Sequence, residues 1–270
     1  MTNPEEILPG AIFYAYLSTE RKEKVCFWNH HTLVLQVSGQ FHLETTEQTI
    51  GMTAGSILLI RKNQLGTITK TPLPGGNYET IILSLQEDLL RKIVLEDKIE
   101  PGPKYVGPPN ILVPVDEFLQ GYFQSIVPYA RRTSAALTEE MGVLKIKEGV
   151  KLLMNALPGL RNFLFDFSEP HKIDLERFMC SNYQFNVPIE KFAQLTGRSL
   201  AGFKRDFQKT FGVPPRQWLQ DRRLAEAKHL IENKQQKASA IYLDLGFESL
   251  SHFSHSFKKK FGRTPTFRNS

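Results

Sequence analysis

The 270-residue chain is 41% hydrophobic and 11% aromatic, enough apolar material for two domains with buried cores. It has no apolar run near the roughly 18 residues a membrane span needs and no charged, apolar, small-residue leader, so a cytoplasmic protein is expected, with neither membrane nor secretion. Cys26 and Cys180 stand far apart in unlike contexts, which fits ordinary thiols in a reducing compartment, and the net charge of +6 is uneven: 18 basic residues face 9 acidic ones from His171 onward, leaving 16 against 19 upstream.

The first hundred residues read as strands. The run HTLVLQVSGQFHLETTEQTIGMTAGSILLIRKNQLGTI is apolar in short blocks or alternates, with breaks at Ser38-Gly39, Thr45 to Gln48, Gly51, Gly55 and Asn63 to Gly66. NYETIILSLQ from Asn77 is a further strand. Turns every eight to twelve residues point to a small antiparallel barrel or jelly roll. Glu87 to Asp97 reads as a helix, and PGPKYVGPPN as a proline- and glycine-rich crossing. Next, Val115, Phe118, Leu119, Tyr122, Phe123, Ile126 and Val127 form one helical stripe. A second helix, from Thr138 to about Leu157, carries Met141, Leu144, Val150, Leu153 and Leu157. The pair either covers the barrel or contacts another copy. Pro158-Gly159 breaks the chain, and the aromatic density of Phe163, Phe165 and Phe167 predicts a docked connector.

The last hundred residues contain one pattern twice, 50 residues apart. SLAGFKRDFQKTFGVPP from Ser199 and SLSHFSHSFKKKFGRTP from Ser249 align without a gap, with eight identities in seventeen positions. Each copy is an amphipathic helix stopped by Gly and then Pro. Ahead of the first, Ala193, Gly197 and Phe203 have helix-turn-helix spacing: a small residue lets the helices cross closely, and Gly accepts a left-handed turn. Ahead of the second, Gly246 keeps the turn while Tyr242 replaces the small residue. The helix from Gln217 to Ile231, with Trp218, Leu219, Leu224, Ala227 and Leu230 on its apolar side, is expected to hold the two hairpins apart by roughly one DNA turn, about 34 Å. A basic excess confined to tandem helix-turn-helix units points to a polyanion.

The Gly212-x-x-Pro215 end of the first copy, the linking RRLAEAKHLI from Arg222 and the segment GFESLSHFSHSFKKKFGRTP from Gly246 resemble the DNA-binding domain of the AraC/XylS family of bacterial transcription regulators. The departures are Tyr242, where that family usually has Ala, which is expected to widen the second hairpin, and Gly202, which is expected to loosen the first recognition helix. The resemblance implies an α+β chain: residues 1–165 as a cupin-like β-barrel with a helical pair, regulatory and a candidate for dimerisation, then residues 171–270 as an all-α domain with two helix-turn-helix motifs. It implies sequence-specific regulation of transcription, with double-stranded DNA as partner and RNA polymerase, a small-molecule effector and a second copy (a homodimer) as further candidates.

With Leu200, Phe203 and Phe207 turned inward, the outer face of the first recognition helix offers Ala201, Lys204, Arg205 and Gln208. With Phe253 and Phe257 inward, the second offers Ser251, Ser254, His255 and Lys258, and Leu250 for a thymine methyl. Ser199, Ser249 and Lys259 complete the candidate DNA-binding residues. A lysine or arginine here either donates to guanine or meets phosphate alone. A cupin prompts a search for metal ligands, and His30, His31, His42, Glu44 and Glu47 are present, yet no His follows the TAGSILLI hairpin to complete a set. His42 and Glu44 equally suit an outward strand face. No metal, cofactor or catalytic residue is therefore assigned. The alternatives are a metal-dependent cupin enzyme fused to a DNA-binding module, and a structural protein binding DNA non-specifically.

Overall fold

Period-two apolar patterning and left-handed breaks divide the first half of the chain into strands. The computed structural model describes residues 5–8, 11–100, 102–131, 139–168 and 172–266. Its strands are β1 (Glu5–Leu8), β2 (Ile12–Leu17), β3 (Arg21–Phe27), β4 (His31–Ser38), β5 (Gln40–Glu44), β6 (Thr49–Met52), β7 (Ile57–Ile60), β8 (Leu65–Thr71), β9 (Tyr78–Leu85) and β10 (Asn110–Val113). The breaks between β4 and β8 include Gly39, Gly55 and Asn63, all at positive φ. Gly39 is required sterically as well, because a Cβ there would lie 2.7 Å from the carbonyl oxygen of Thr71.

Antiparallel pairing gives two sheets, ordered β1-β2-β9-β4-β7-β10 and β3-β8-β5-β6. The cupin-like domain thus takes the form of two facing sheets, with no hydrogen-bonded closure into a ring among the described residues. Ala15, Val34, Leu58, Ile60 and Tyr78 of the larger sheet pack with Phe41, Leu43, Met52 and Ile68 of the smaller one and with Trp28. The alternate residues Leu33, Leu35, Ile57, Leu59, Ile81 and Leu83 bury in a second core on the other face. This explains why β4 and β7 read as continuous apolar runs: strands covered on both faces lose the polar half of the alternation.

Helices supply the outer cover. They are α1 (Glu87–Glu96), α2 (Glu117–Arg131), α3 (Glu139–Ala156) and α4 (Leu160–Leu164). Leu119, Tyr122, Phe123 and Ile126 of α2, Ile146, Val150 and Leu153 of α3, and Leu160, Phe163 and Leu164 of α4 join the second core. The helical pair therefore covers the larger sheet. Val115 precedes α2 and, like Phe118, Met141 and Leu144, is exposed, so these four leave the predicted apolar stripes. Thr138 and the side chain of Cys26 lie outside the described residues, and Cys180 is a free, exposed thiol.

The docked connector is observed. Phe163 is buried, while Phe165 and Phe167 pack against the same core. Arg61 bonds Asp166 at 2.5 Å, and the guanidinium of Arg91 lies 4.2 Å above the Phe167 ring. Burial favours the neutral acid at Asp166, but the hydroxyl and amide of Ser168, with Arg61, outweigh it and hold its pKa below the usual range.

The chain divides into two compact units, Met1–Ser168 and Glu169–Ser270. The second unit is all helix among its described residues: α5 (Leu175–Asn182), α6 (Ile189–Leu195), α7 (Leu200–Phe211), α8 (Pro215–Lys234), α9 (Ala238–Ile241) and α10 (Leu250–Phe261).

Candidate nucleic-acid interface

The repeated sequence produces two helices of the same length with the same ends. At the start of α7 the hydroxyl of Ser199 accepts a hydrogen bond from the amide of Gly202 at 3.1 Å, and at the start of α10 Ser249 accepts from His252 at 3.2 Å. Each satisfies an amide the helix cannot pair. Gly212 and Gly262 end the two helices at φ 72° and 71°. Phe203 and Phe207 in one, Phe253 and Phe257 in the other, are buried. Gly197 makes the turn between α6 and α7 at φ 66°, beside the buried Ala193.

The long helix α8 is the spine. Trp218 stands 5.7 Å from Phe207 and 4.6 Å from Phe211, measured between ring centres, which seats the first hairpin on its N-terminal part. Leu224, Ala227 and Ile231 share a core with Ile241, Leu245, Phe247, Phe253 and Phe257, which seats the second hairpin farther along.

The candidate DNA-binding residues lie on these two helices and their caps. Ser199, Ala201, Lys204, Arg205 and Gln208 are exposed, as are Ser249, Leu250, Ser251, His255, Lys258 and Lys259; Ser254 is half-buried. Three make hydrogen bonds within the protein, and Arg205 lies in an ion pair with Asp206. Ser199 and Ser249 cap their own helices, and Gln208 donates to the carbonyl of Gly212 at 2.7 Å. The aligned amides at the start of α7 and α10 also carry the positive end of each helix dipole, suited to a phosphate.

Sequence reasoning missed the role of Asp206. It accepts from Arg198 at 3.1 Å and lies 3.6 Å from Arg205 and 3.9 Å from Lys172; the Arg198 hydrogen bond is the main cause holding its carboxyl below the usual range. Arg198 in turn donates to the carbonyls of Thr196 and Ile173. A carboxylate inside α7 thus ties down the turn through Arg198 and stands beside the Nε of Arg205. On α10, Lys260 is bound to Asp221 of α8, and Lys258 and Lys259 of the same last turn are exposed.

The two departures have defined places. Gly202 sits in the first turn of α7, where it donates to the cap, and α7 runs unbroken beyond it. Tyr242 follows α9, a single turn of helix compared with the seven residues of α6, and is half-buried against the second hairpin's core.

In the first unit, His42 and Glu44 lie on the exposed face of β5, while His31 is buried, accepts from the amide of Lys62 through Nδ1 at 3.3 Å and packs 5.0 Å from the Phe163 ring. Burial drives the His31 pKa down to about 3, with Lys62 and Arg61 adding to the effect. Among the described residues no three His, Cys, Asp or Glu side chains are grouped to hold a metal ion.

Comparison with known proteins covers both units. Residues 192–268 match a helix-turn-helix domain family, and residues 31–164 match the ExsA N-terminal regulatory domain family. The virulence regulon transcriptional activator VirF of Yersinia enterocolitica is 25% identical over 259 residues, covering 90% of this chain and 90% of its own. The HTH-type transcriptional regulator ExsA of Pseudomonas aeruginosa is 25% identical over 258 residues, covering 89% of this chain and 90% of its own. The solved structure of ToxT from Vibrio cholerae aligns with a TM-score of 0.44 at 14% identity, over 95% of this chain and 97% of that one.

Proposed function

Since the chain belongs to the AraC/XylS family of bacterial transcription regulators, we propose that it acts by placing α7 and α10 in successive major-groove segments of one operator. The observation that carries this reading is the duplicated geometry: two capped helices, each with an inward phenylalanine pair and an exposed polar face, on one spine in the basic part of the chain. A helix fits the major groove and reads base edges with its outer side chains.

Arg205 and Lys204 are the base-reading candidates of the first helix; Ser251, Ser254 and His255 are those of the second, with Leu250 placed for a thymine methyl. Their differing chemistry suits two unlike half-sites. Ala201 allows close approach of the backbone to the groove wall. Ser199 and Ser249 act first as caps, and Gln208, Lys258 and Lys259 at the far ends suit phosphate, which orients the protein without reading sequence.

The activity is binding, not chemistry on the nucleic acid, and is exercised in the cytoplasm; among the described residues no helix is long and apolar enough to cross a membrane. The first unit is the regulatory part. Its exposed Phe118, Met141 and Leu144 support pairing with a second copy, and a small-molecule effector would have to enter among side chains of the strands between Phe13 and Leu83. Such an effector would act only through unequal affinity for two arrangements of the protein. RNA polymerase is the partner through which operator binding would reach transcription.

A binding-site selection with the full-length chain tests the central claim. A recovered sequence with two distinct conserved blocks about one turn apart is the expected result. Recovery of random DNA would leave a non-specific DNA-binding protein instead.

A further inference from the structure

Between the two hairpins runs a seam that the spine helix alone does not explain. One side is the loop from Tyr183 to Pro188, joining α5 to α6 in the first half; the other is the turn from Gly246 to Glu248, leading into α10 in the second. Arg223, at the middle of α8, reaches both sides. Its Nε donates to the carbonyl of Tyr183 at 2.7 Å, its Nη2 to that of Phe185 at 2.9 Å, and its Nη1 to that of Gly246 at 3.1 Å. The planar guanidinium holds its donors in a fixed fork, so three carbonyls from two loops define one position for both.

A second observation is steric. Gly246 has φ 78°, and a Cβ there would lie 2.6 Å from the carbonyl oxygen of Gln184 and 2.9 Å from Cζ of Arg223. The backbone of the second hairpin therefore lies directly against the first hairpin's loop, at a distance that only glycine permits. Asn186 donates to Glu248 across the same seam at 3.1 Å. Beside it opens a cleft of about 340 Å³ whose walls include Ile189, Leu219, Phe247, Arg216, Gln220 and His252, so packing across the seam is incomplete and the polar contacts carry part of the joint.

We propose that Arg223 is a positioning residue for operator recognition: by joining the α5–α6 loop to the Gly246 turn it fixes the spacing and orientation of α7 relative to α10, and so sets which separation of half-sites the protein accepts. This rests on the reading of the second unit as a two-helix DNA reader. Arg223 touches neither recognition helix's outer face, so its effect falls on the joint use of both helices. When two binding surfaces are held rigidly at the right span, the second engagement is intramolecular and adds affinity without new contacts. Loosening the joint forfeits that gain and tolerates wrong spans.

The test uses the full-length chain and the operator recovered by selection, at low salt where half-site binding is measurable. Four DNA duplexes are compared: the operator, the operator with one base pair inserted between its half-sites, and each half-site with the other scrambled. Arg223→Lys and Arg223→Met are the variants. Both are expected to bind each half-site within about 2-fold of the parent, to bind the intact operator about 10-fold or more weakly, and to lose most of the parent's penalty for the insertion. Retention of the parent's operator affinity and insertion penalty would overturn the proposal. So would loss of half-site binding in the same proportion, which assigns Arg223 to folding of the individual halves. A parent protein that selects no sequence at all sinks the two-helix reading itself, and is recognised before any variant is made.

Discussion

Arg205 and Lys259 are both exposed cations on α7 and α10, and we propose different work for them. The Nε of Arg205 lies 3.6 Å from Asp206 while its side chain stays 78% exposed, so the guanidinium remains available to DNA. Arg205→Ala is expected to cost about 1 to 3 kcal/mol in operator binding and to relax preference at one base position. Lys259→Ala is expected to weaken all sequences alike and to lower the slope of log affinity against log salt by about 1. Repeated site selection with Arg205→Ala that returns the parent's sequence would reduce Arg205 to a phosphate contact. At His31 the prediction concerns pH. Its folded pKa is about 3, against about 6.5 unfolded. Between these values the unfolded chain binds a proton that the folded one refuses, so stability falls as pH falls through that window, by up to about 1.4 kcal/mol per unit. Thermal unfolding at pH 7 and pH 5 should show a smaller difference for His31→Gln, which keeps an acceptor but does not titrate.

At the scale of elements, the repeated caps make a quantitative prediction. Ser249→Ala leaves the amide of His252 without its acceptor and should destabilise α10 by about 1 kcal/mol, read as a lower unfolding midpoint of the second unit. An unchanged midpoint, with weakened DNA binding, would instead make Ser249 a contact residue. Much of this architecture was legible in the sequence because the relevant patterns are local. The duplicated Ser-Leu…Phe…Phe…Gly pattern places α7 and α10, and short apolar blocks, alternating or continuous, between turn residues place β4 to β9. Elements defined by distant partners were not legible. β10 is four residues after a proline-rich crossing and exists because it pairs with β7. Phe118 and Leu144 share the helical period of their buried neighbours, but the larger sheet covers only part of that arc, so they stay exposed. Arg223 looked like one more basic residue on α8; its three acceptors come from loops 23 to 40 positions away, and no periodicity announces them.

For the whole molecule, the change of charge, repeat and fold near residue 170 supports two separable parts. Residues 171–270 alone are expected to be soluble and to bind the operator, more weakly than the full chain if the first unit pairs with a second copy. Light scattering of residues 1–170 decides that clause: a monomer at high concentration removes pairing as the reason. The larger sheet has one more consequence, for the order in which a growing chain can become a protein. Its outer core contains Leu160, Phe163 and Leu164 together with Leu33 and Leu35, so the sheet meets its last covering residues more than 120 positions after its central strand is made. Until then the part of that face covered by α4 stays open as the ribosome adds residues, even with α1 to α3 made, and an intermediate with an exposed apolar patch is the kind that aggregates. A chain released at residue 158 should therefore partition into the insoluble fraction while one released at 168 remains in solution, although the two differ by only ten residues and share every strand.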